Sequence, residues 1–225
     1  MVVTKKTNYI FISLALSMLC LSKVSFSQNM NIQPKGSLTV DIGIPTNQAN
    51  MAFDNLLEGL FNGGIGYQHN IYEGLTIGGG LKYSFFINDR FALNQTAGPG
   101  AMHIPAIFAK VGYEKFTTDR FSFNFGVRGG YSSMIMVNDS NTVNLGGPYI
   151  KESFFVEPQL ELLLTSSKGE PDGFSLVLGY AFYFSEFNSK FISRNKFVGL
   201  EPEDSNGLTR FFSLGFGYRH YFGMY

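Results

Sequence analysis

The segment Phe121–Tyr131 carries Phe121, Phe123, Phe125 and Val127 at alternate positions, with Ser122, Asn124, Gly126, Arg128 and Gly130 between them. Successive side chains of an extended chain point to opposite faces, so this is a strand with one greasy face and one small or polar face. The pattern recurs at 174–184, where Phe174, Leu176, Leu178, Tyr180, Phe182 and Phe184 alternate with Ser175, Val177, Gly179, Ala181 and Tyr183. It recurs again at the end of the chain, with Phe212, Leu214, Phe216 and Tyr218 against Ser213, Gly215, Gly217 and Arg219. A soluble β-sandwich or lipocalin-like barrel keeps its polar face outside and its apolar face inside. Here the interrupted face carries glycine, serine, asparagine and charge, so the arrangement is inverted, as in a barrel whose exterior meets lipid.

The same test gives candidate strands near 35–45, 61–72, 75–87, 103–114, 121–131, 153–164, 174–184 and 210–222. That is about eight strands, each near the roughly 9–11 residues that a tilted membrane strand needs. The connections alternate in length. Glu73-Gly74, Lys115–Arg120 and Thr165–Gly173 are short, whereas the stretches near 46–60, 88–102, 132–152 and 185–209 are long. Short turns on one side and long loops on the other predict an all-β, transmembrane, antiparallel up-and-down β-barrel with periplasmic turns and extracellular loops. An even strand count puts both termini on the periplasmic side, and pairing first strand to last leaves no unpaired edge in lipid.

Composition agrees with alternation and excludes other classes. The chain has 24 Phe, 12 Tyr and 26 Gly but only 15% charged residues, and mean hydropathy is +0.04. Lysines and arginines equal the acidic residues at 17 each, so no basic excess argues for nucleic acid. The first segment is an address. Lys5 and Lys6 precede the apolar run 9–21, and Ser25-Phe26-Ser27 supplies a small-x-small cleavage site. The expected division is therefore a signal peptide at 1–27 and a barrel at 28–225. The only cysteine, Cys20, falls in the signal peptide, which removes disulfides, thiol catalysis and cysteine metal sites from the mature chain.

The ending Phe212-Ser213-Leu214-Gly215-Phe216-Gly217-Tyr218-Arg219-His220-Tyr221-Phe222 resembles the terminal strand that the outer-membrane assembly machinery recognises. With the signal peptide and the eight-strand rhythm, residues 28–225 resemble the outer-membrane β-barrel superfamily in the style of OmpA, OmpX and OmpW. The resemblance implies a location in the outer membrane of a Gram-negative bacterium, lipid as the surrounding partner and the barrel assembly machinery as a partner during biogenesis. Gly223-Met224-Tyr225 after the terminal aromatic departs from the pattern.

The interior of an eight-stranded barrel is just wide enough for side chains to fill it. The predicted inward charges are Asp41, Lys82, Lys110, Arg128, Glu157, Glu161 and Arg219. Such charges are costly unless paired. Arg128 with Glu157, and Asp41 with Arg219, are the expected interior ion pairs, and inward Gly78, Gly80, Gly215 and Gly217 favour close packing. Histidines offer no catalytic pattern. His69 and His220 fall near the periplasmic ends, and His103 at the outer rim has no serine and acid arranged around it. Neither the histidines nor the acidic residues have metal-ligand spacing, so no metal and no cofactor is expected.

The loops are unusually apolar. Ala49, Phe53, Leu56, Leu57, Leu60 and Phe61 follow helical spacing around Asp54 and Glu58, predicting a short amphipathic helix in the first long loop. Met134-Ile135-Met136-Val137, Phe191-Ile192 and Phe197-Val198 are apolar as well. Such patches are costly to leave wet, so either they plug the mouth or a partner covers them. The last loop has a basic half (Lys190, Arg194, Lys196) and an acidic half (Glu201, Glu203, Asp204). The expectation is a non-enzymatic integral outer-membrane protein, structural or accessory to a larger assembly, with Phe53, Leu56, Leu57 and Leu60 as a docking surface for another outer-membrane protein. A narrow channel for small solutes and a rim enzyme acting on lipid are the alternatives.

Overall fold

A computed structural model of the chain describes residues 34–46, 51–88, 100–118, 120–165, 170–187, 191 and 207–223. Residues 1–27, the charged residues of the last loop, Ile192 and Phe197-Val198 lie outside them. Eight antiparallel strands follow one another around a closed barrel: β1 (Gly36–Thr46), β2 (Leu57–Tyr72), β3 (Leu75–Asn88), β4 (Gly100–Phe116), β5 (Phe121–Asn138), β6 (Tyr149–Thr165), β7 (Asp172–Phe187) and β8 (Gly207–Phe222). β1 pairs β8 from Gly36–Phe222 to Thr46–Phe212, which closes the sheet. The all-β up-and-down barrel read from alternation is the fold.

The turn end is tight. Glu73 and Gly74, at φ 41° and 92°, form the two-residue link between β2 and β3. Two positive φ values match the right-handed twist of a hairpin, and glycine adopts one without strain. At the next turn Thr118 Oγ1 accepts hydrogen bonds from Phe121 N at 2.9 Å and Arg120 N at 3.3 Å.

At the loop end the observed strands run beyond the sequence reading. β5 extends to Asn138, β6 begins at Tyr149, β7 ends at Phe187 and β8 begins at Gly207. The reason is a change in polarity on the inward face. Along the middle of β5 the apolar residues Phe125 and Val127 face out, but above them Met134 and Met136 face in and are fully buried. Val137 still faces out beside them, so both faces are apolar there and the alternation that marks the lower strand disappears.

Two short helices sit at the loop end: α1 (Met51–Leu56) and α2 (Asp139–Leu145). Asn138 caps α2 through its side chain, which accepts from Asn141 N, and Gly146 ends it at φ 75°. α1 is shorter than the predicted helix because β2 already begins at Leu57.

Candidate functional site: a charged lumen under an apolar plug

The outer surface is an apolar belt. Leu81, Ile107, Val111, Phe125, Leu164, Phe174, Leu214 and Phe216 are all exposed, Phe216 at 70% and Ile107 at 61%. Tyr67, Tyr72, Tyr113 and Tyr218 face out toward the turn end, and Tyr83, Tyr131 and Phe154 toward the loop end. Among the described residues no helix is long and apolar enough to cross a membrane.

Inside, eight buried charges balance: Asp41, Glu114, Glu157 and Glu161 against Lys82, Lys110, Arg128 and Arg219. Their bonds span the lumen. Lys82 Nζ of β3 donates to Glu157 Oε2 of β6 at 2.5 Å, and Lys110 Nζ of β4 to Glu161 Oε1 of β6 at 2.6 Å. Arg128 Nη2 of β5 donates to Asp41 Oδ1 of β1 at 2.8 Å. Arg219 of β8 donates to Glu114 Oε1 at 2.9 Å through Nη1 and to Glu161 Oε2 through Nη2. Gln68 Nε2 of β2 also donates to Glu114 at 2.9 Å, and the Tyr221 hydroxyl donates to the same carboxylate. Among the described residues eight charged side chains on six strands, β1, β3, β4, β5, β6 and β8, thus each meet an opposite charge, while Gln68 brings in β2.

These partners correct the two expected pairings. Arg128 does stand opposite Glu157 in register. Its guanidinium nonetheless bonds Asp41, while Glu157 takes Lys82. Asp41 stands opposite Gly217, not Arg219, which reaches toward the turn end to Glu114 and Glu161. Inward side chains of a narrow barrel converge on its axis, so a long cation meets the far wall as readily as the neighbouring strand. Glu114 is the residue the sequence reading missed. It shares parity with Lys110 on β4 and terminates that strand's inward row, which was the signal.

Aromatic faces support the cations. The Arg128 guanidinium lies 4.7 Å from the Phe108 ring, and Lys82 Nζ lies 5.3 Å and 5.8 Å from the rings of Phe211 and Phe155. Phe108 has room because Gly66 and Gly80 line the wall beside it. A Cβ on Gly80 would meet Ile65 O at 2.1 Å and Phe108 Cζ at 2.9 Å. A Gly80→Val variant is therefore expected to lose about 1–3 kcal/mol to overpacking. The urea unfolding midpoint in lipid vesicles measures this, and an unchanged midpoint contradicts the packing described.

Above the charges the lumen turns apolar. Phe53, Leu56, Leu57, Phe86, Met102, Ile104, Met134, Met136, Phe155, Tyr183, Phe187, Phe191 and Phe211 form one buried cluster. Phe53 of α1 sits at its centre, edge-on to Phe86 at 4.9 Å and Phe187 at 5.2 Å. This corrects the expected docking surface. Phe53, Leu56 and Leu57 are 0–1% exposed because α1 folds into the mouth, and Leu60 faces outward on β2 at 45%. Of the two fates considered for the apolar loops, plugging is the one realised by Phe53, Leu56, Leu57, Met134, Met136 and Phe191. Cavities of about 10 Å3 beside Asp41 and Asn62, and beside Lys110 and Arg128, each have room for about one water.

His103 is at the outer rim, its Nδ1 2.6 Å from Tyr83 Oη and its ring 5.0 Å from Phe85. Among the described residues no serine or carboxylate bonds it. At the turn end His220 Nδ1 is 2.7 Å from Asp172 Oδ1, which also accepts from Tyr218 Oη at 2.5 Å. Among the described residues no group of three or more His, Cys, Asp or Glu could hold a metal ion.

No known family matches the chain by sequence, and no curated protein does. Solved structures do. Neisserial surface protein A is 12% identical over 84% of this chain and 97% of its own, with a TM-score of 0.50. Ail, the attachment invasion locus protein of Yersinia pestis, is 10% identical over 84% of this chain and 99% of its own, with a TM-score of 0.42. The likeness to the first is one of fold: the small eight-stranded outer-membrane barrel.

Proposed function

We propose that the protein is an integral, non-enzymatic β-barrel of a Gram-negative outer membrane, a structural component or accessory subunit whose lumen is closed to solutes. Residues 1–27 direct its export and are removed, and the barrel assembly machinery receives the mature chain through β8. The observation that carries this reading is the inverted wall, apolar over its outer belt and charged within. Only lipid makes that arrangement favourable, since each exposed belt residue would be costly in water. Closure is supported by the cross-lumen ion pairs and by the plug stacked above them.

Expressed with residues 1–27 intact, the protein is expected in the outer-membrane fraction with its N-terminus near Gln28. Reconstituted into planar bilayers, it is expected to give no discrete conductance steps. Recovery as a soluble periplasmic species would contradict the membrane placement, and reproducible single-channel steps would contradict closure.

A further inference from the structure

β5 and β6 stay paired up to Met136–Tyr149, and β7 and β8 up to Phe187–Gly207. β6 and β7 do not. Their register ends at Phe155–Tyr183, although β6 runs on to Tyr149 and β7 to Phe187. Two local features coincide there. From Phe182 to Glu186 β7 advances four residues while β8 advances two, from Arg210 to Leu208. That surplus is a bulge, and a bulge bends its strand. Lower down, Pro158 brings no N–H to the sheet, and the register skips from Val156–Phe182 to Gln159–Gly179. Pairing resumes above Pro158 at Val156–Phe182 and Phe155–Tyr183 and then stops, whereas above the similar break beside Pro105 the β4–β5 pairing runs on from His103–Ile135 to Gly100–Asn138.

Phe191 bridges the parted strands. Its ring packs 4.9 Å from Tyr149 of β6 and 5.0 Å from Phe187 of β7. Its carbonyl oxygen accepts from Asn138 Nδ2 at 3.2 Å and from Asn141 Nδ2 at 3.0 Å. Asn138 Oδ1 in turn accepts from Asn141 N at 2.6 Å, so the pair that starts α2 also holds Phe191. Phe191 belongs to the same buried cluster as Met134, Met136, Phe155 and Phe211, whereas Ile150, Phe154 and Phe184 face out beside the parting. Apolar interior and apolar exterior therefore meet here with no ladder of hydrogen bonds between 149–154 and 184–186. At the bulge the hydroxyls of Ser185 and Thr209 are buried without a protein partner.

We propose that the upper β6–β7 seam is a lateral gate bolted by Phe191, through which one acyl chain of a membrane lipid reaches the aromatic and methionine cluster, its ester within reach of Ser185 and Thr209. The gate rests on the membrane placement proposed above. It passes a chain from the side and leaves the axial path shut, because the ion pairs below it stay in place.

The test is photolabelling of the mature protein in phosphatidylethanolamine–phosphatidylglycerol vesicles that carry a diazirine on one acyl chain, with adducts mapped by mass spectrometry. Outward Leu81 and Ile107 are expected to be labelled in every sample. Label on inward Met134 and Met136 is expected to rise about fivefold in Asn141→Ala, the population change that follows loss of one hydrogen bond. Phe191→Ala leaves the α2 cap intact and is expected to give the same rise, so a misfolded Asn141 variant does not decide the matter. Inward label equal in wild type and both variants, with the belt labelled, would overturn the gate alone. A belt without label would overturn the membrane placement and the gate with it.

Discussion

An Arg219→Met variant is expected to lose about 3–5 kcal/mol of unfolding free energy, the cost of removing one partner from a buried ion pair. Arg219 is fully buried and bonds two carboxylates, Glu114 on β4 and Glu161 on β6. Without it, Glu161 keeps Lys110, and Glu114 keeps only the neutral donors Gln68 and Tyr221. The lumen then carries one uncompensated negative charge. Arg219→Met combined with Glu114→Gln restores neutrality and is expected to recover at least half of the loss, a coupling that adjacent residues show and distant ones do not. Urea unfolding from lipid vesicles measures both variants. A loss below about 1 kcal/mol for the single change, the range of an exposed pair, would mean that water screens these charges.

Phe53→Ala is expected to cost about 3–5 kcal/mol, since it empties the centre of the plug and the rings around it relax only partly. Phe53 contacts Phe86, Phe187 and Phe211 at ring separations of 4.9, 5.2 and 6.4 Å, and these come from three different strands. Leu60→Ser, outward on β2, is expected to change stability far less, because that position is already half exposed. The contrast separates plug from docking surface. If α1 served a partner instead of the barrel, Phe53→Ala would leave the isolated protein's unfolding midpoint unchanged.

Alternation made the barrel legible because the pleat forces a period of two and lipid forces the greasy face outward. Phe121–Val127 and Phe174–Phe184 carry that signal without interruption, and β5 and β7 lie on them. The upper strand ends were not legible. There the inward face itself becomes apolar at Met134, Met136 and Phe187, so greasy and polar faces no longer alternate. Inward placement of the seven charges followed from parity alone. Their partners did not, because register relates neighbouring strands while Arg128–Asp41 and Lys82–Glu157 cross the lumen. The helix over Phe53 was visible in its spacing, but spacing is the same whether an apolar face meets a partner or the barrel's own mouth. The parted β6–β7 seam needed coordinates. Pro158 marks one break, but the bulge after Phe182 has no residue signature.

The inverted wall is tested most directly by a nitroxide scan of β7, one cysteine label at a time from position 174 to 184. Collision rates with dissolved oxygen and with a water-soluble nickel chelate are then read in lipid vesicles. A period of two is expected, with oxygen maxima at 174, 176, 178, 180, 182 and 184 and the nickel chelate excluded from all of them. Nickel maxima at those same positions would place the greasy face in water and contradict the account.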